Sequence, residues 1–331
     1  MKTKNIIVSC LTALLALPVL GVFAQSVQLI NTFDYPGSVV STQPQKISGT
    51  GAVVGVFVDT SGLSSGFVRF PNGHFSAPLV DPNDTGGTTQ GRAINNSLRV
   101  GGDYVDPTTG SFHGFFLGGA TFYDYFVPGS SFTIVLGLNN ANDFCGSDIP
   151  SSGTQSGYVS IGGTVTEFLV SGSTATLAYQ INNSNQAAGY YIDSSSVTHG
   201  YYRDSDGSIV SPIDPAGSTG TIVFGNNNSN TIVGRYPDSS GATHGFVFIP
   251  PSTYITYDFP GSTFTSLNGI NQAGLIVGRY DDSTGAEHGL LARLVSGTSD
   301  RPATGVTPQR HPAQASTVKP LPVRSVVEPA L

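Results

Sequence analysis

Ten aspartates and four histidines recur at matched intervals in this sequence, and they are the side chains best suited to chemistry. Asp59, Asp106, Asp193, Asp238 and Asp282 each sit in a polar turn, while Asp34, Asp81, Asp124, Asp214 and Asp258 each follow a short strand-like run. If strand order places both sets on one face, the carboxylates form a ligand-binding rim. Such a rim attracts cations or basic partners and accepts hydrogen bonds from sugar hydroxyls. Each Asp also fits a simpler role, as an Asx-type turn residue whose oxygen accepts backbone N–H groups. His113, His199, His244 and His288 each open an apolar run just after a turn. With one per repeat they stand too far apart to converge on a metal. Their expected work is to hydrogen-bond the turn backbone or the neighbouring carboxylate and so lock a hairpin.

Those residues are positioned by an internal repeat. The segments "GAVVGVFVD", "LRVGGDYVD", "NDFCGSDIP", "NQAAGYYID", "NTIVGRYPD" and "GLIVGRYDD" align on Gly55, Gly102, Gly146, Gly189, Gly234 and Gly278, spaced 47, 44, 43, 45 and 44 residues apart. Eleven or twelve residues later comes a second glycine in each copy: Gly66, Gly114, Gly157, Gly200, Gly245 and Gly289. Each copy supplies four short strand candidates divided by Asn/Asp/Ser/Gly turns, and about 44 residues with four strands is the dimension of one β-propeller blade. The last copy lacks a fourth strand, and "VQLINTFDYPGS" at the other end of the body matches the fourth-strand segment "STYITYDFPGS". The expected fold is therefore all-β: a six-bladed β-propeller of four-stranded blades, its ring closed by the N-terminal strand pairing with the last blade. An open β-solenoid has no use for that displaced strand. The anchor glycines are expected to let an aromatic of the next blade, such as Tyr104, Tyr191, Tyr236 or Tyr280, lie against the backbone.

The pattern "GRY-x-D-S-x-G-x-x-HGF" together with "IN-x-x-G" resembles the HAF-type extracellular repeat family of bacterial exported proteins, over nearly all of residues 27–297. The resemblance implies secretion and a repeat architecture, and brings no catalytic motif. The third copy departs most, with Pro150 at the turn Asp position, Ser156 at the His position, and Cys145.

The two ends read differently from the body. Lys2 and Lys4, the apolar run Ile6 to Phe23 and "VFA" ending at Ala24 form a signal peptide over 1–24, with cleavage before Gln25. Six prolines and four basic residues mark 298–331 as a disordered, Pro-rich tail. Excluding both ends leaves 8 basic and 19 acidic residues, a net charge of −11 on the 25–297 body. That disfavours nucleic acid and anionic lipid. With one cysteine left there is no disulfide framework, and no cofactor or membrane span is expected. There is no G-x-S-x-G, H-E-x-x-H or phosphate-loop motif, and Glu167 and Glu287 are the body's two glutamates. The reading is a secreted monomer, extracellular or periplasmic, acting as a binding or scaffold module for glycan, a cation or a basic protein surface. The alternative is a carbohydrate-active hydrolase or lyase using funnel carboxylates.

Overall fold

The computed structural model describes residues 25–37 and 39–296. The expected signal peptide and Pro-rich tail lie outside the described residues, which contain strands, turns and loops and no helix. The chain opens with β1 (Ser26–Phe33), and the first unit holds β2 (Val39–Ile47), β3 (Val53–Asp59) and β4 (Ser64–Arg69). The second holds β5 (Gln90–Ile94), β6 (Val100–Val105), β7 (Phe112–Gly118) and β8 (Thr121–Tyr125), and the third β9 (Thr133–Leu138), β10 (Phe144–Asp148), β11 (Ser156–Ile161) and β12 (Thr164–Phe168). The fourth comprises β13 (Ala175–Ile181), β14 (Ala187–Ile192), β15 (Thr198–Arg203) and β16 (Ile209–Ile213). The fifth comprises β17 (Ile222–Asn226), β18 (Ile232–Pro237), β19 (Thr243–Ile249) and β20 (Thr253–Tyr257), and the sixth β21 (Thr265–Ile270), β22 (Leu275–Asp281) and β23 (Glu287–Val295). Units two to five are each a four-stranded antiparallel sheet in chain order.

The first and last units share one seven-stranded sheet. β1 runs antiparallel to β23, from Ser26 opposite Val295 to Phe33 opposite Gly289, and supplies the sixth unit's outer strand. β2 touches β23 through one parallel bridge, Ser41 to Glu287. The Glu287 carboxylate ties this seam: it accepts the Ser41 hydroxyl at 2.5 Å, the Gln43 amide, and Arg279 Nη1 at 2.8 Å. The first unit's own fourth strand does not form as a continuous ladder. Only the isolated bridges Gly66–Leu79 and Arg69–Phe75 remain, and between them the Ser76 hydroxyl accepts the Val68 N–H at 3.0 Å in place of a backbone carbonyl.

Neighbouring units are stitched by asparagine. Each buried Asn at the first hairpin uses its Oδ1 to accept two N–H groups of its own turn, as Asn182 does from Ser184 and Gln186 at 2.9 and 3.0 Å. Its Nδ2 then donates to the matching carbonyl of the next unit. The relay runs Asn95 to Asn139 (3.3 Å), Asn139 to Asn182 (3.2 Å), Asn182 to Asn227 (2.9 Å), Asn227 to Asn271 (3.4 Å) and Asn271 to Ser48 (3.0 Å). A parallel set joins the following residue's N–H to the next unit's Asn140, Asn183, Asn228 or Gln272 side-chain oxygen.

The hydrophobic core lies in layers between sheets. Ile232, Phe246 and Phe248 pack with Ala188 and Val223, and Val233 and Val247 with Leu267 and Ile276. Here the expected role of the anchor glycines is corrected. A Cβ at Gly234 falls on Ile222 O of the bulged inner strand and, at 2.7 Å, on Phe246 of its own unit. The ring over the anchor glycine is thus the aromatic that follows the second glycine, not a tyrosine of the next unit. Contact between units falls to the second glycine: a Cβ at Gly245 meets Leu267 of β21 at 2.9 Å.

Two outcomes follow from this packing. Gly234→Ala and Gly245→Ala should each lower stability by about 1–3 kcal/mol through overpacking. Chemical denaturation reads this as a lowered midpoint, and unchanged midpoints would remove the close-approach account. Deleting residues 26–33 strips β23 of its partner, so the truncated chain should melt at lower temperature and aggregate on size-exclusion chromatography.

Candidate functional site

Three units build the same cluster. The turn aspartate spends Oδ1 on backbone N–H groups two and four residues ahead: Asp193 takes Ser195 and Val197, Asp238 takes Ser240 and Ala242, and Asp282 takes Thr284 and Ala286. That fixes the hairpin and points Oδ2 at the histidine opening the third strand. His Nε2 lies 3.5 Å from Asp193, 3.2 Å from Asp238 and 3.4 Å from Asp282 in His199, His244 and His288. The other ring nitrogen, Nδ1, faces the aspartate closing the outer strand: Asp214 at 2.7 Å, Asp258 at 2.8 Å and Asp34 at 3.0 Å. In the sixth unit that aspartate comes from β1's end, 254 residues away in sequence. A tyrosine covers each imidazole: Tyr191, Tyr236 and Tyr280, at centroid distances of 5.2, 5.0 and 5.3 Å. These are the tyrosines expected to pack on anchor glycines; they cap histidines instead.

The other units vary the theme. In the second, His113 Nδ1 lies 3.8 Å from Asp106 and 3.3 Å from the Tyr104 hydroxyl, which donates to Asp124 at 3.3 Å. In the first, Asp59 caps its turn, but Ser65 replaces the histidine and Tyr35 stacks on Phe57 at 3.9 Å. Asp81 is 1% exposed, so it is withdrawn from the expected rim. In the third unit Asp148 takes the place of the capping tyrosine, buried, accepting the Ser130 hydroxyl at 2.5 Å. Burial pushes its carboxyl up to about 6.

The flanking aspartates also act on the histidines electrostatically. Burial opposes charge on His199 and His244, but hydrogen bonds and the charge of the flanking aspartates outweigh it, and both pKa values rise. In His288 the Asp34 hydrogen bond leads and the direction is the same. The Ser240 hydroxyl, then His244, lowers Asp238 to about 2. Each cluster thus favours the imidazolium form of its histidine, clamped by two carboxylates. In these three clusters the aspartates come together in pairs around a histidine and accept local hydrogen bonds. The sequence signal was present, since a turn Asp, a strand-opening His and a strand-closing Asp recur in register. What the spacing did not reveal was that all three meet. Among the described residues no group of three or more His, Cys, Asp or Glu is placed to hold a metal.

Two concave features bear on ligand binding. A groove of about 580 Å³ lies at the seam, lined by Asp34, Pro36, Asn72, Gly73, His74, Phe75 and Ser76. The Tyr35 hydroxyl joins its two walls, donating to Ser76 O at 3.1 Å, and the Phe75 ring stands edge-on to Tyr35 at 5.3 Å. The second is a cavity of about 10 Å³ where inner strands converge, lined by Gln43, Gln45, Arg92, Tyr179, Phe224, Arg235, Asn268 and Arg279. A hydrolase using funnel carboxylates would need a carboxylate pair and room for a sugar at this position. The lining is amide, guanidinium and aromatic, and the space is water-sized.

The charged clamps predict a pH signature. A raised histidine pKa stabilises the fold fully below the ordinary value of about 6.5, and that contribution is lost as pH rises through the folded value. The lowered Asp238 contributes above its ordinary value of about 3.9 and loses this only as pH falls toward 2. Lys46, which burial lowers to about 7, acts oppositely, costing stability while protonated. Comparison with a His199→Asn, His244→Asn, His288→Asn variant cancels that term. The difference in melting temperature should be largest near about pH 5–6 and shrink by about half or more by about pH 9. A difference that stays constant across that range would mean the clamps are uncharged.

A scan against protein-family models finds no match, and a search of curated proteins finds none either. Solved structures do align. AofleA from Arthrobotrys oligospora superposes with TM-score 0.53 at 12% identity, covering 82% of this chain and 90% of that one. A protein named as a TolB from Agrobacterium tumefaciens gives TM-score 0.52 at 12% identity, covering 83% and 99%. Aleuria aurantia lectin in complex with Fucα1-6GlcNAc aligns at TM-score 0.47 and 12% identity over 89% and 99%, and at that level carries no argument. No helix among the described residues is long and apolar enough to cross a membrane. With the sheet order described above, the likenesses at 0.53 and 0.52 show the fold alone: the chain is an all-β propeller of four-stranded sheets.

Proposed function

We propose that this chain is an exported six-bladed propeller, closed into a ring at the β1–β23 seam, and that it serves as a glycan-binding module. Six glycine-anchored repeats, the β1–β23 ladder and the Asn271–Ser48 hydrogen bond across the seam support the closed six-blade reading. Export rests on the leader-like residues 1–24, and kinship with the HAF-type repeat proteins rests on the repeat motifs.

The observation that carries glycan binding is the seam groove. There a carboxylate (Asp34), an amide (Asn72), an imidazole (His74), a hydroxyl (Ser76) and a phenyl ring (Phe75) line one open space. Polar groups in a concave wall fix hydroxyl positions, and an aromatic ring packs against the C–H face of a sugar. The volume matches a ligand of one to a few sugar rings. The groove has this form at one place in the ring, because only there does β1's end meet the first blade's Asn72–Ser76 turn.

A glycan array identifies the ligand. Asn72→Ala and His74→Ala, both at exposed turn positions, should each weaken binding of that glycan by about tenfold, equivalent to about 1.4 kcal/mol. The melting temperature should stay unchanged. An array without a binder, or binding that neither substitution alters, would overturn the reading.

A further inference from the structure

The pairing register lines up one position in all six units. The second glycine of each repeat pairs with the last residue of the outer segment: Gly66 with Leu79, Gly114 with Tyr125, Gly157 with Phe168, Gly200 with Ile213, Gly245 with Tyr257 and Gly289 with Phe33. The residue that follows that partner is Val80, Phe126 or Leu169 in units one to three. In units four to six it is Asp214, Asp258 or Asp34, the aspartate that faces histidine Nδ1. The asparagine relay joins neighbouring units in chain order. The change therefore divides this end of the molecule into an apolar run of three units and an acidic run of three.

The apolar run faces solvent. Val80, Phe126 and Leu169 are 42%, 37% and 43% exposed. Leu63, 47% exposed, lies at the same end, in the turn before β4. Phe126 shows the exchange directly: its ring stands edge-on to His113 at 4.2 Å, where later units place a carboxylate. The fold accepts aspartate at this position in three units, so packing does not require an apolar side chain there. One exposed leucine needs no account, whereas apolar side chains at equivalent positions of three consecutive units mark a contact surface. The acidic run is negative in either state of its histidines, because each cluster sets two carboxylates against one imidazole.

We propose that this end of the molecule docks a protein segment carrying apolar side chains on one flank and Lys or Arg on the other. The apolar flank covers Val80, Phe126 and Leu169, and the cations meet the clamp carboxylates of units four to six. Charge complementarity selects this occupant over the others. An anionic lipid surface is repelled by the acidic run. A second copy stacked on this end through a twofold axis would set acidic run on acidic run, or apolar on acidic. The inference goes beyond the glycan reading: it shares Asp34 with the seam groove, but its apolar residues lie outside that groove.

The test selects a phage-displayed random peptide library on the chain from Gln25 onward, with the double variant Phe126→Ser, Leu169→Ser as counter-target. Both side chains are exposed, so the variant should melt within about 2 °C of the parent. A second variant, Val80→Ser with Leu169→Ser, spares the contact of Phe126 with His113. Selected peptides should combine Lys or Arg with aliphatic or aromatic residues, and bind the parent about tenfold more tightly than either variant. Their affinity should fall about tenfold between about 50 mM and about 500 mM salt. A selection without binders, binders lacking basic residues, or binding indifferent to both variants would overturn the proposal. So would a dimer in sedimentation velocity, or flotation with phosphatidylcholine vesicles, that is lost in the double variant, since each assigns the surface to another occupant.

Discussion

The fold depends on a single repeated interaction, the buried asparagine that serves two units at once. Its Oδ1 closes the first hairpin of one blade, and its Nδ2 satisfies a carbonyl at the same position in the next. Because each amide is 2–9% exposed, an unmet donor or acceptor would carry the desolvation cost of a buried polar group, about 1–3 kcal/mol. The network is therefore favourable when every member is in register and costly when one slips. That property lets six rather dissimilar segments adopt one spacing. Serine at position 48 receives the last link across the seam but has no amide to continue it, so the relay has a beginning and an end at the joint between first and second blades.

With spacing fixed, the two glycines of each repeat divide the packing work. The anchor glycine admits the carbonyl of the bulged inner strand and the aromatic of the third strand within one sheet, whereas the second glycine admits the neighbouring sheet. Large rings such as Phe67, Phe115, Tyr158, Tyr201 and Phe246 are thereby buried completely inside thin sheets. Each contributes on the order of 2–3 kcal/mol of apolar burial. A side chain at either glycine would force the sheets apart, and the asparagine relay would no longer reach.

Charge is arranged in two zones by the same geometry. Outer hairpins carry aspartates that cap turns and clamp histidines, so much of the acidic surface has a local structural role. Cations collect where the inner strands converge, against aromatic rings: Arg235 lies 5.2 Å from the Phe224 ring and Arg279 5.0 Å from that of Phe264.

The sequence by itself determined the periodic features. Glycines at 43–47-residue spacing, alternating turn and strand chemistry, and the likeness of "VQLINTFDYPGS" to "STYITYDFPGS" were enough to name the unit and to pair β1 with β23. These are local patterns repeated, and repetition makes them legible. Tertiary structure alone decided which groups meet. In each cluster one aspartate stands 6 residues from its histidine and the other 14 to 254, and nothing in the spacing says that Asp34 completes the His288 clamp rather than lining an open rim. Asp81 reads in the sequence as the counterpart of Asp258 yet is buried, in the blade whose outer strand forms only isolated bridges. Gln45 and Arg92 share no motif, yet the tertiary structure brings them to line one cavity, and through-space proximity has no signature along the chain.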